Sequence, residues 1–464
     1  MSNQLFNEFN PVSSKQWKQK IQFDLKGADY NTLIWKSNED ILVKPFYHAD
    51  DFLEFPEVTN TKAAEWKICE AIYVADINKS NSKALKAIGK GAESIKFIIP
   101  SESVSLADLL KNIDTSLTPV HLELQFLSNA YVNKWLAMPI RLLSEVEVKA
   151  GIYYHTDIIG NLAKTGNWFH SLNDDFSKFQ NIVKQTNHFS INASLYQNAG
   201  ATMVQQLAYA LAHLNEYLNS LDAVIQLEAK QSLKVNFNVS IGSNYFFEIA
   251  KLRALRMLWT TLANEYGIKS DCEIMAIPTK RNKTLYDYNT NMLRTTTENM
   301  SAILGGADTI CSLPYDAIYH KTNEFGNRIA RNQLLILKHE SYFDIINNPA
   351  DGAYYIESLT NQLAGKALSL FKDIEANGGF LKQLKNGTIQ RKIKESADKE
   401  QKQFDVGETV LLGTNKYPNP NDKMKNELEL YPFVKTKHRK TLIEPIVEKR
   451  LAENLEQKRL KNED

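Results

Sequence analysis

Cysteine is scarce in this chain: Cys69, Cys272 and Cys311 are the only three in 464 residues, odd in number and without metal-ligand spacing. That excludes a disulfide framework and a thiolate zinc site, and points to buried thiols in a reducing compartment. A charge excess is also missing. Lys and Arg offset Asp and Glu to a net charge of +1, which excludes bulk attraction to nucleic acid or an anionic bilayer. No apolar run approaches the ~18 residues of a membrane span, so no membrane partner is expected. The opening MSNQLFNEFNPVSSKQWKQK lacks an apolar core of signal-peptide length, so the expected location is cytoplasmic. Nor does a Gly-x-Gly-x-x-Gly turn follow the first strand-like run, which removes the usual dinucleotide signature.

What is present is ample core material, 43% hydrophobic and 10% aromatic. From Lys67 onward, β-rich runs recur at Ile68–Val74, Ile95–Pro100, His121–Phe126, Val146–Tyr154, Phe189–Tyr196, Val235–Gly242, Cys272–Pro278 and Thr309–Leu313. Helical periodicity falls between and after them, at Leu106–Ile113, Asp174–Gln185, Ala201–Leu221, Phe246–Tyr266, Asn291–Leu304 and Glu324–His339. Strands alternating with helices imply parallel βαβ units. Eight such units predict an α/β fold of the (β/α)8 TIM-barrel type, typically ~250 residues, with an open doubly wound sheet as the rival.

The predicted organisation is an N-terminal arm over 1–60, a barrel over 61–345, and a helical extension with a charged tail over 346–464. The arm combines a helix near Ser14–Leu25 with two extended runs, Thr32–Lys36 and Ile41–Tyr47, in a hairpin-like pattern. The extension reads as helices over Ala353–Ala376 and Phe380–Phe404, parted at Gly378-Gly379. Lys437–Asp464 reads as a charged helix with Leu442, Ile446, Leu451 and Leu455 on it, lying on a partner, on the barrel, or free as a frayed tail.

Several ordered blocks carry a resemblance. They are Leu25–Tyr30 with Val43–Tyr47, the AGAT run at Ala199–Thr202 with Gln197, and the helix Phe246–Trp259. Arg294-Thr295, Arg328–Asn332, Asp351–Glu357 and Gly413–Tyr417 follow in order. Together they resemble the cobalamin-dependent acyl-CoA mutases of the methylmalonyl-CoA mutase type. The resemblance covers most of the chain from Phe189 to Tyr417 and the arm, while 61–188 matches mainly in strand–helix rhythm.

The departures from that family are chemical. Where the family has an active-site Tyr and His, this chain has Ser194 and Leu195, and Leu195 can neither donate nor accept a hydrogen bond. Cys69-Glu70-Ala71 stand where a substrate-touching Arg, Gln and Tyr are expected after Trp66-Lys67-Ile68. A His-x-Gln pair on the seventh barrel strand becomes Met275 and Ile277. None of the nine histidines has Asp two residues before it, so the family's Asp-x-His-x-x-Gly loop and its flavodoxin-like cobalamin domain are not expected.

The resemblance therefore implies a small, non-catalytic subunit with no cofactor, metal or catalytic residue of its own. It implies pairing, as a heterodimer, with a large catalytic mutase subunit that holds adenosylcobalamin and interconverts succinyl-CoA and (R)-methylmalonyl-CoA. The alternative is an independent barrel enzyme or acyl-CoA-binding module, with a site rebuilt near His155, Asp157, Lys280 and Arg281.

Overall fold

The computed structural model describes residues 8–52, 63–137, 151–435 and 439–463. Eight parallel strands run β3 (Lys67–Tyr73), β4 (Ser94–Ile99), β5 (Val120–Leu124), β6 (Ile152–His155), β7 (His188–Asn192), β8 (Lys234–Ile241), β9 (Glu273–Pro278) and β10 (Thr309–Cys311). They follow β1 (Trp35–Lys36) and β2 (Leu42–Val43) of the arm hairpin. Strand order in the sheet is β6-β5-β4-β3-β10-β9-β8-β7, so first and last barrel strands pair and the ring nearly closes. The β6–β7 seam has no ladder. The Ser190 amide reaches the Thr156 carbonyl at 3.4 Å, and the His188 ring lies 2.8 Å from the Tyr154 carbonyl. This is the (β/α)8 TIM-barrel architecture, and the open-sheet alternative is excluded.

Period-two alternation sorts each strand. Ile95, Phe97, Ile99, Val120, Leu122, Val235, Phe237 and Val239 belong to the main core under the helices. The intervening residues turn inward and are taken up below.

The extension covers one side of the barrel. Helix Tyr354–Ala376 packs across Met203–Asp222 and Tyr245–Glu265. The Arg253 guanidinium, 1% exposed, pairs there with Asp351 at 2.8 Å and Glu357 at 2.6 Å. Much of the apolar breadth of Phe246–Trp259 is thus buried by the chain's own extension. The arm docks on the same side. Trp35 meets Phe247, and the Glu39 carboxylate accepts the Met203 and Val204 amides at 2.8 and 2.9 Å, capping a helix 164 positions away.

Three expectations need correction. The run Phe189–Tyr196 is not one strand: β7 ends at Asn192, and Ser194–Asn198 is a short helix, because the chain must turn to place Thr202 as the cap of Met203–Asp222. The stretch Phe380–Phe404 is two helices, Phe380–Lys385 and Thr388–Asp405, broken at Gly387 with φ +73°. Among its described residues the tail is helical only over Glu453–Lys461, since Pro445 interrupts it and the preceding segment satisfies its amides on the barrel instead. The Val146 end of the fourth run lies outside the described residues.

Candidate functional site: the barrel lumen and its mouth

Inward positions of a TIM barrel usually carry branched aliphatic side chains in layers. Here they are Cys69, Ser94, Lys96, His121, Glu123, Tyr153, His155, His188, Ser190, Asn236, Asn238, Met275, Thr309 and Cys311, all on alternate positions. The lumen is polar and filled. His121 Nδ1 lies 3.0 Å from His155 Nε2, and Asn238 Nδ2 lies 3.2 Å from His155 Nδ1. The His121 ring stacks on Tyr153 at 5.0 Å, and Tyr153 meets His188 edge-on at 5.3 Å. His188 donates Nδ1–H to the Tyr154 carbonyl, since a carbonyl only accepts, which leaves Nε2 as a buried lone pair.

Electrostatics follow from burial. Loss of water pushes His121 down to about 3 and His188 down to about 4, and lowers His155 well below its ordinary value. Neighbouring Lys96 adds to the depression at His121 and His155. Lys96 is itself 5% exposed; burial works against its charge, but Glu123 at 2.7 Å outweighs that and raises its pKa. The imidazoles are therefore neutral, and Lys96 is matched by Glu123.

Next along the lumen, Met275 packs with Cys69 and Cys311, which face each other across the β3–β10 ladder, with Ile277 partly buried against them. Burial raises the Cys69 thiol, whereas its hydrogen bond lowers Cys311. A cavity of about 270 Å3 opens above this cluster, with Lys280, Asp316 and His320 on its walls.

The sequence-derived candidates do not assemble into one site. Ser194 begins the short helix, its hydroxyl buried without a partner among the described residues, and Leu195 is 1% exposed in the main core. His155 is sealed in the lumen. Asp157 caps helix Ile158–Thr165 through Gly160 at 2.7 Å, accepts the Asn192 amide and the Tyr217 hydroxyl, and lies 2.9 Å from His213 Nε2. Burial opposes its charge, but His213 and these donors hold its carboxyl below the usual range. Arg281 is bound to Glu400 at 2.6 Å and to the Lys449 carbonyl at 2.8 Å. Of His155, Asp157, Lys280 and Arg281, the mouth cavity is lined by Lys280, together with Cys69, Glu70 and Ala71. Residues that the sequence reading passed over, His121, His188, Lys96, Glu123 and Asn238, form the cluster. Their signal was the polar half of each strand's alternation.

The family blocks that survive have structural work here. Gly200 sits at φ +98°, and a Cβ there would meet Ala397 Cβ at 2.6 Å and Arg281 Nη2 at 2.8 Å, so glycine is required. Thr202 makes a reciprocal capping box with Gln205. Gln197 bridges the buried Glu248 and Lys251 at 3.3 and 3.1 Å. Among the described residues, His170, Asp174 and Asp175 converge within metal-ligand range. They are already engaged: Asp175 accepts the Phe169 and His170 amides, and Lys178 lies 2.9 Å from Asp174. Also among the described residues, no helix is long and apolar enough to cross a membrane.

Comparison with known proteins agrees with this reading of the blocks. The family model described as methylmalonyl-CoA mutase matches residues 104–462. The chain is 34% identical over 453 residues to the methylmalonyl-CoA mutase small subunit of Porphyromonas gingivalis, covering 89% of this chain and 71% of that one. It is also 34% identical over 257 residues to the large subunit of the same organism, covering 54% and 36%. With the methylmalonyl-CoA mutase of Rhizobium meliloti it shares 37% over 245 residues, 51% of this chain but 34% of the relative. A family model that runs from within the barrel through the extension, and a relative 34% identical over most of both chains, leave one conclusion: the chain belongs to the methylmalonyl-CoA mutase family.

Proposed function

We propose that this chain is the non-catalytic small subunit of a heterodimeric methylmalonyl-CoA mutase. Its large subunit would carry adenosylcobalamin and interconvert succinyl-CoA and (R)-methylmalonyl-CoA by a radical mechanism. The observation that carries the proposal is the filled lumen. An acyl-CoA or a reacting carbon skeleton needs an open, hydrogen-bonding centre, whereas here His121, Tyr153, His155 and His188 close the axis on one another. The inward lining is still polar, which fits a barrel descended from one that admitted substrate.

The lumen's own residues also do not fit the cofactor. A corrin that has lost its own base would need an imidazole it can reach. His121, His155 and His188 are buried inside the barrel. A large-subunit partner is suggested by the family itself, since P. gingivalis has separate small- and large-subunit chains and this chain resembles both.

Expressing the large chain with and without this one tests the proposal. The expected result is a stable complex with mutase activity, and no turnover or stoichiometric cobalamin binding by this chain alone. Equal solubility and activity of the large chain alone, with separate elution of the two after mixing, would return the independent-enzyme reading.

A further inference from the structure

Helix Ile77–Ile88 places Lys79, Lys83 and Lys86 at i, i+4 and i+7 on one face, and Lys90, in the turn just past the helix end, lines the same groove. That face forms one wall of a groove of about 590 Å3, opposite Thr322, Asn323 and the start of helix Glu324–His339. Arg331 enters from the opposite wall. The residue is 8% exposed, its guanidinium is paired with Glu70, and its Nε is a buried donor without a partner among the described residues. Five cationic side chains thus line a groove with two carboxylates, Glu70 and Glu324.

Those carboxylates leave the charge unbalanced. Glu324 is shared by Lys86 at 2.6 Å and Lys90 at 3.4 Å, and Glu70 is held by Arg331 and by Asn327 at 3.3 Å. Lys79 and Lys83 make no ion pair among the described residues, although like charges at i, i+4 repel on a helix. A bound polyanion relieves that repulsion. The volume falls in the ~300–1,000 Å3 range of small-molecule sites, and lysines bind phosphate as point charges. A concave groove of that size favours a compact anion over an acidic protein face.

We propose that this groove binds a small organic diphosphate, with the lysines on its phosphates. The site lies outside the lumen and sits against the mouth cavity through the Glu70–Arg331 pair, which lines both. The proposal does not depend on the subunit reading.

Calorimetric titration of the full chain with adenosine diphosphate and with inorganic pyrophosphate, at low and at physiological salt, tests it. Saturable, salt-sensitive binding of either probe is expected. A Lys83→Glu, Lys86→Glu double variant should weaken it about tenfold or more, and Lys184→Glu on another helix should leave it unchanged. Tighter binding of the nucleotide assigns the base a share of the site, and equal binding assigns the phosphates all of it. No saturable binding of either probe at millimolar concentration, or equal binding by the double variant, overturns the proposal. If the double variant instead loses only its hold on a large subunit while neither probe binds, the groove is an acidic-partner surface and the diphosphate proposal fails.

Discussion

Single residues in the lumen set the chain's response to acid. The folded state keeps His121 and His188 neutral down to about 3 and about 4, below their ordinary value of 6.5. An unfolded chain would take up those protons from pH 6.5 downward, so their contribution is fully present above 6.5 and is lost as pH falls toward the folded values. Each such imidazole steepens the loss by on the order of 1.4 kcal/mol per pH unit. Buried Glu298 and Glu456, whose carboxyls are raised by burial, act in the opposite sense. The variant His188→Gln, which keeps a donor for the Tyr154 carbonyl but cannot charge, separates the two. Its Tm should fall less steeply than the parent's between pH 6.5 and 4, and parallel curves would remove the histidine from the account. His188 and His121 were legible in the sequence only as the polar beats of two strands. Nothing in one sequence says that β5 and β7 bring them into one lumen, because that proximity is a product of closure. Leu195 shows the reverse: its chemistry was readable from residue type, while its place on a helix was not.

At the scale of elements, the strands and long helices were legible because period-two and period-3.6 patterns survive in them, and β3, β4, β5, β8, β9 and β10 fall within two residues of their expected bounds. The C-terminal segment was not. Its charge left a helix on a partner, a helix on the barrel and a frayed tail all open; it runs across the barrel rim as a mostly non-helical strap. Leu442 and Ile443 donate to the Gly166 carbonyl, Lys449 to that of Asn198, and Leu451 to that of Arg281. Its charges are buried in matched form: Arg450 pairs with Glu456 at 2.7 Å, and Glu456 also accepts the Leu285 amide at 2.8 Å. Composition cannot distinguish a buried ion pair from a solvated one, and that is why the sequence left the tail's position open. Replacing Glu456 with Ala leaves the Arg450 guanidinium and an amide unmatched inside the protein. The expected cost is about 3 kcal/mol, read as a lower urea midpoint, with early tryptic cleavage at Lys449 or Arg450 as the strap lifts. Wild-type stability and an intact strap in that variant would mean the pair is satisfied by water.

For the molecule as a whole, closure of the barrel is the feature that makes everything else possible, and it is uneven. Seven neighbouring strand pairs share a ladder, whereas β6 and β7 are joined by one long amide–carbonyl contact and by the His188 ring on Tyr154. The imidazole thus replaces a main-chain bond where the ring of strands would otherwise gape, and Tyr153 and His155 of β6 pack on His188 of β7 behind it. This predicts where the native barrel opens first. Amide exchange under native conditions should be faster along Ile152–His155 than along the interior of β3 and β4, whose ladder is continuous from Cys69 to Tyr73. Removing the ring by His188→Ala should widen that difference by about 1–3 kcal/mol of opening free energy, the cost of leaving a buried carbonyl without its donor, while the β3–β4 amides stay slow until global unfolding. If the seam instead exchanges as slowly as β3 and β4 in both forms, packing of the lumen side chains alone holds the barrel shut. The polar plug, rather than the single ring-to-carbonyl bond, is then the closure.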